Sequence, residues 1–228
     1  IDGIIKVIDN PEITIEELAQ IFLEQQSKNV ENINLVTPTS YTFQIIEAIK
    51  IARENGLKIP IVYNTNGYET VETLKLLEGY IDIYLPDLKY AENDLAKKYS
   101  KIENYFEIAT NAIKEMVRQA GKPEFDENGI MKKGVMIRHL VLPENVENSK
   151  KVLKWINDNL KDYVYISVMA QYFPTYKAKN DEKYKELNRK LTENEWKQIE
   201  DYIDFLGFEN GFVQELGEHE EEYVPKWW

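Results

Sequence analysis

Residues 61–90, IVYNTNGYETVETLKLLEGYIDIYLPDLKY, constrain the fold more than any other stretch of the chain. An apolar run from Pro60 to Tyr63 stops at Asn64-Thr65-Asn66-Gly67. An amphipathic helix follows over about Thr70 to Glu78, and a second apolar run, Ile81 to Leu85, stops at Pro86-Asp87-Leu88-Lys89. This is one βαβ unit. Parallel strands joined by a crossover helix end on the same edge of their sheet, so both polar clusters land on one rim. Ligands of open α/β sheets and barrels sit at the carboxyl ends of the strands, which makes that rim the expected site.

The rest of the chain repeats the alternation. Thr14 and Glu17 form a capping box ahead of Leu18, Ile21 and Phe22, predicting a helix to about Ser27. Ile33 to Val36 reads as a short buried strand, and Tyr41 to Asn55 as a helix stopped by Gly56. Helices are expected over Asn93 to Ser100, Tyr105 to Ala120 and Val146 to Leu160, and strands over Val135 to Leu142 and Val164 to Met169. Thr192 and Glu195 open a last helix to Leu206 with Trp196, Ile199 and Ile203 on one face. Five strands alternating with helices predict an α/β chain, a partial barrel with a mainly parallel curved sheet. Residues 1–12 form a lead-in, 13–175 the barrel part, and 176–228 a helical extension ending in the acidic run Glu218 to Glu222 and Trp227-Trp228.

Composition narrows the function classes. The formal charge of -12 argues against a general nucleic-acid surface, because phosphate binding needs clustered cations. No apolar run approaches the roughly 18 residues of a membrane span, and Asp2 does not suit a secretory signal, so a cytoplasmic domain is expected. Cysteine is absent, which removes disulfides and thiolate metal ligands from this chain. His139 and His219 have no metal-site spacing: His139 is expected to be buried and hydrogen-bonded, His219 solvated. Asp126 to Gly129 lacks the remaining ligands of a calcium loop and reads as a turn.

Each strand ends on a polar or proline-containing segment: Thr37-Pro38-Thr39, Asn64-Thr65-Asn66-Gly67, Asp87-Leu88-Lys89, Arg138-His139 with Pro143, and Gln171-Tyr172. Any one alone reads as a helix cap or a turn, Thr39 or Ser40 capping the next helix and Gly67 turning the chain. Together they offer Lys89 and Arg138 to a carboxylate, Asp87 to an amine or cation, and amides and hydroxyls to a nucleoside. The competing reading of Asp87 and Lys89 is a surface pair worth under about 1 kcal/mol.

The segments NINLVTPTSY, PIVYNTNGY, DIYLPDLKY and IRHLVLP, in that order and followed by QYFP, resemble the radical S-adenosylmethionine enzymes, and within them the uncharacterised relatives of the pyruvate formate-lyase activating enzyme. The resemblance spans most of residues 13–215. It implies a partial barrel with S-adenosylmethionine across the carboxyl ends of the strands. Thr37, Pro38 and Thr39 match the motif that meets the methionyl amino group. Asn64, Thr65 and Asp87 match residues that surround a monovalent cation, with Asn64 in place of an aspartate. Lys89 and Arg138 match residues facing the methionyl carboxylate, and Gln171 and Tyr172 stand where the activating enzyme has a histidine.

The family's Cys-x-x-x-Cys-x-x-Cys loop, which holds a 4Fe-4S cluster, has no counterpart in this chain. It is expected upstream of Ile1, together with the missing first strand. The resemblance therefore implies an activase-like oxidoreductase whose complete form cleaves S-adenosylmethionine reductively to a 5′-deoxyadenosyl radical, with an electron donor and a glycyl radical enzyme as protein partners. This chain alone would hold cofactor-binding residues, supply no catalytic residue and be inactive. A different class stays open, a degenerate barrel serving as a nucleoside-binding or protein-interaction module. A weaker third reading, a barrel lyase using Lys89 as a Schiff-base amine, suffers from Asp87, which would hold that amine charged.

Overall fold

The computed structural model describes residues 12–216. Residues 1–11 of the lead-in, which read as an edge strand or an entry loop, His219, and the acidic and aromatic end lie outside the described residues. Within them the order is α1 (Ile15–Ser27), β1 (Ile33–Val36), α2 (Thr42–Glu54), β2 (Ile61–Thr65), α3 (Val71–Leu76), β3 (Ile83–Pro86), α4 (Asn93–Ser100), α5 (Tyr105–Ala120), β4 (Glu124–Phe125), β5 (Met131–Leu140), α6 (Val146–Leu160), β6 (Tyr165–Met169), α7 (Tyr176–Asn180), α8 (Glu193–Leu206) and β7 (Gly211–Val213). Short 3₁₀ turns occupy Thr39–Tyr41 and Glu182–Leu187.

Six parallel strands run in the order β1-β2-β3-β5-β6-β7, and β4 folds back antiparallel on β5. Because spatial order follows chain order without reversal, right-handed crossovers place the helices on one face of the sheet. The other face becomes the inside of a barrel that stays open. The α/β partial-barrel expectation holds, with a correction: the sheet has seven strands, not five. β4 has two residues and β7 three, too few for periodicity to reveal. β5 starts at Met131, four residues before its expected start, because the turn at Asp126 folds β4 onto it; the Asp126 carboxylate there accepts from the Asn128 and Ile130 amides.

Register partners in a parallel pair share a face, which sorts the side chains. Ile61, Tyr63, Tyr84, Val135, Ile137, His139 and Val168 point under the helices and are buried against Ile49, Leu74, Ile113 and Leu153. Asn64, Asp87, Arg138, Ser167 and Phe212 belong to the inner face. The core thus lies between sheet and helices, and polar groups are left for the lumen.

Both capping boxes form as the sequence requires. Thr14 accepts from the Glu17 amide while Glu17 accepts from Thr14, and Thr192 and Glu195 do the same at α8. Glu195 also takes both terminal nitrogens of Arg189 and the Glu144 amide. The Arg189 guanidinium foremost, with these amides, outweighs burial and lowers its carboxyl to about 2. The folded value lies below the unfolded one, so the contribution is complete above about pH 4.5 and fades as pH falls toward 2. Glu195→Gln is expected to cost about 1–3 kcal/mol at pH 7 in urea denaturation, with the difference from wild type shrinking in acid.

Candidate functional site

Arg138 is the centre of the inner rim. Its Nη2 donates at 2.7 Å to Asn64 Oδ1 and lies 2.7 Å from Asp87 Oδ1, so one guanidinium on β5 joins the ends of β2 and β3. Lys89 Nζ lies 3.4 Å from the second Asp87 oxygen. Two cations therefore share one carboxylate, leaving a surplus positive charge at the mouth of a chain whose formal charge is -12. The Lys89 side chain is 41% exposed, which leaves room for another acceptor. The buried Nε of Arg138 makes no hydrogen bond.

The turns carrying these groups are locked from behind. Gly67 has φ +82°, and a Cβ there would come 2.2 Å from the Asp87 carbonyl oxygen, so the first turn packs directly on the second. The Tyr105 hydroxyl, 3.0 Å from the carbonyls of both Asn66 and Asp87, accepts from the Lys89 amide, and burial raises its pKa. Asn148 on α6 donates to the Lys89 carbonyl and accepts from the Ala91 amide. His139 is buried beneath the same turn, as expected. A carbonyl only accepts, so Nδ1 donates to Leu88 at 2.7 Å, and Nε2 accepts from the Ser149 hydroxyl at 2.8 Å.

The ten sequence candidates divide into four groups. Asn64, Asp87, Lys89 and Arg138 bond to one another. Thr65 leaves β2 on the helix side, opposite Asn64, and its hydroxyl donates to Glu69 at 2.5 Å, as that of Thr39 does at 2.6 Å. Asn64, Thr65 and Asp87 therefore do not present their side chains to one point; the guanidinium lies where Asn64 and Asp87 meet. Thr39 does not cap α2, which has no side-chain cap. Thr37 holds a left-handed φ of 53°, unusual for a β-branched residue, and donates its amide to the Asn64 carbonyl, while Pro38 begins the 3₁₀ turn. Gln171 accepts from Gln214 and lines a cavity of about 350 Å³ with Ser167, Met169 and Phe212; Tyr172 donates to the Leu187 carbonyl.

Sequence reading missed Glu69, Tyr105, Asn148 and Ser149. Glu69 is buried with Oε1 shared by the Thr39 and Thr65 hydroxyls and Oε2 without a partner. Before a Thr70 cap it looks like an ordinary helix-entry acid. Asn148 and Ser149 carried a usable signal: they fall in phase with Val152, Leu153 and Ile156 on the buried stripe of α6, where a polar residue needs a partner.

No family model matches the chain. An uncharacterised protein of Methanocaldococcus jannaschii is 34% identical over 183 residues, covering 79% of this chain and 48% of that protein. The chain spans about half the length of this curated relative. A domain of the pyruvate-formate lyase-activating enzyme from Bacteroides vulgatus superposes with a TM-score of 0.53 at 14% identity, covering 81% of this chain and 98% of that one. Coproporphyrinogen III oxidase from Escherichia coli, a radical S-adenosylmethionine enzyme, gives 0.56 at 16% identity over 85% and 44% of the two chains. SuiB from Streptococcus suis, bound to the precursor peptide SuiA, gives 0.53 at 19% over 89% and 42%. The fold is that of the radical S-adenosylmethionine enzymes, and the relationship these likenesses support is one of fold.

Two outcomes follow from the turn-locking residues. Burial, partly offset by the Leu88 hydrogen bond, pushes the His139 imidazole from 6.5 down to about 4. Its contribution is present above pH 6.5 and is lost as pH falls toward 4, by about 3 kcal/mol in all. Urea denaturation at pH 7 and pH 4.5 is expected to show this loss in wild type and a flatter profile in His139→Gln. Gly67→Ala is expected to cost about 3 kcal/mol or more, from φ strain plus the clash with Asp87. Gly79→Ala, at φ +84° with open space around the added Cβ, is expected to cost only the strain, about 1–2 kcal/mol; melting temperatures of the two variants check the difference.

Proposed function

We propose that this chain is the cofactor-binding barrel part of a radical S-adenosylmethionine enzyme. The observation that carries the reading is the surplus cation at the inner rim: Arg138 and Lys89 around the single carboxylate of Asp87, at the carboxyl ends of parallel strands. The donor set suits a zwitterionic sulfonium nucleoside. Lys89, with the part-exposed guanidinium of Arg138 beside it, can receive the methionyl carboxylate. The turn after β1, at Thr37 to Thr39, lies beside Asn64 through the Thr37 amide and suits the methionyl amino group. Gln171 and the cavity over β6 and β7 suit the nucleoside.

The 4Fe-4S cluster of the family does not fit the residues present, since the chain supplies no thiolate. S-adenosylmethionine, where a reducing cluster accompanies it, supplies carbon-radical chemistry. The residues of this chain bind and orient it: Arg138 fixes the separation of the β2 and β3 turns, Asp87 holds both cations in place, and Tyr105 and Asn148 hold the backbone that carries Lys89. An activase-like reaction on a protein glycine, with an electron donor as second partner, is the specific activity proposed where such a cluster accompanies this barrel.

Calorimetric titration of S-adenosylmethionine tests the reading. Lys89→Met and Arg138→Met are each expected to weaken binding by about 1.5–3 kcal/mol, more than tenfold. Methylthioadenosine, which lacks the amino-acid moiety, is expected to bind the wild type and both variants alike. Equal affinity of S-adenosylmethionine for wild type and variants contradicts the assignment.

A further inference from the structure

A line of tyrosine rings leads from the locked turns toward the far side of α4. Tyr68 stacks on Tyr105 with ring centroids 6.2 Å apart, Tyr105 meets Tyr90 edge-on at 5.4 Å, and Tyr90 lies 6.2 Å from Tyr99. The first member is 37% exposed, while Tyr105 and Tyr90 are buried. The Tyr105 oxygen touches the backbone of Asn66, Asp87 and Lys89, so the line begins at the rim itself.

The hydrogen-bond partners give the line a direction. Tyr105 has only backbone carbonyls to donate to, and Tyr90 is paired with the Ser100 hydroxyl; neither partner takes a proton readily. Tyr99 instead donates at 2.9 Å to the Glu186 carboxylate. Lys98 lies over the Tyr99 ring at 5.3 Å, but its charge is met by the same Glu186 at 2.5 Å. Tyr184, a further 6.2 Å away, accepts from the Lys101 ammonium, whose charge also lies over its ring; that disfavours a hole there. A phenol that loses an electron becomes a strong acid, so the hole settles where a carboxylate can take the proton.

We propose that Tyr105, Tyr90 and Tyr99 form a one-electron path that draws an oxidising equivalent away from the rim and parks it on Tyr99. The oxidant is a one-electron acceptor at the rim: a photo-oxidised metal complex, or a carbon radical that takes up a solvent proton together with the electron and ends as the C–H compound. It takes one electron from Tyr105, directly or through Tyr68. Tyr90 refills Tyr105, and Tyr99 refills Tyr90. The Tyr99 phenolic proton passes to Glu186, leaving a neutral phenoxyl radical at Tyr99 and the oxidant reduced by one electron. The use of such a path, sparing the rim when a radical meets no substrate, rests on the proposed function; the path does not.

Because the chain has no cysteine, Glu103→Cys gives one attachment point for a ruthenium polypyridyl photo-oxidant. Position 103 is exposed, and its carbonyl accepts from the Tyr68 hydroxyl. Flash oxidation in the presence of a nitroso spin trap, followed by peptide mass spectrometry, locates the radical. The expected result is an adduct mainly on Tyr99. In Tyr90→Phe this adduct is lost and the signal retreats to Tyr68 and Tyr105. In Glu186→Gln the Tyr99 adduct falls although the rings are intact, with circular dichroism verifying the fold of both variants. A Tyr99 adduct indifferent to Tyr90→Phe, or adducts confined to Tyr68 in the wild type, overturns the proposal. Since the oxidant is attached, this outcome is independent of whether S-adenosylmethionine binds.

Discussion

The contact on which the site depends is the guanidinium of Arg138 laid across two strand ends. An arginine on β5 can bond both Asn64 and Asp87 only if β2, β3 and β5 end level with one another, which parallel pairing in chain order provides. The same contact sets the charge balance. Asp87 alone would repel an anion; with Arg138 and Lys89 around it the mouth carries one positive charge more than it needs internally. Removing Asp87 would leave two cations facing each other, and removing Arg138 would leave Asn64 and Asp87 without the donor that spaces them.

Behind that contact stands a second layer that faces the helices. Tyr105, His139, Asn148 and Gly67 all act on the backbone of the two turns and not on the side chains that face the lumen. Loops at strand ends carry function because they are exposed, and they lose precision for the same reason. Here the precision comes from below, through buried polar residues with little freedom to move. A neutral His139 suits this: as donor to Leu88 and acceptor from Ser149 it satisfies both neighbours without placing a charge in the core.

Much of this was legible in the residues. Period-two alternation separated Arg138 from His139 and put Asp87 and Lys89 on one turn, and the single βαβ unit placed Asn64 and Asp87 on a common rim. Both capping boxes formed as written. Alternation also held the warning that Asn64 and Thr65 must leave β2 on opposite faces, so Thr65 pairs with Glu69 beneath the helices and not with the rim. Glu69 and Tyr105 were hidden because a glutamate before a helix cap and a tyrosine on an apolar stripe both have ordinary local explanations; their partners are distant in sequence. β4 and β7 escaped because their pairing is set by β5 and β6, not by any pattern of their own.

The central proposal is that, among the described residues, the inner rim around Arg138 receives a zwitterionic nucleoside. Titration of S-adenosylmethionine into isotope-labelled protein, followed by amide chemical shifts, tests it most directly. The account predicts that the largest shifts fall on Thr37, Asn64, the 87–89 turn and Arg138, with smaller ones at Gln171. Shifts clustered on the helix side of the sheet, or spread evenly over the surface, would contradict it.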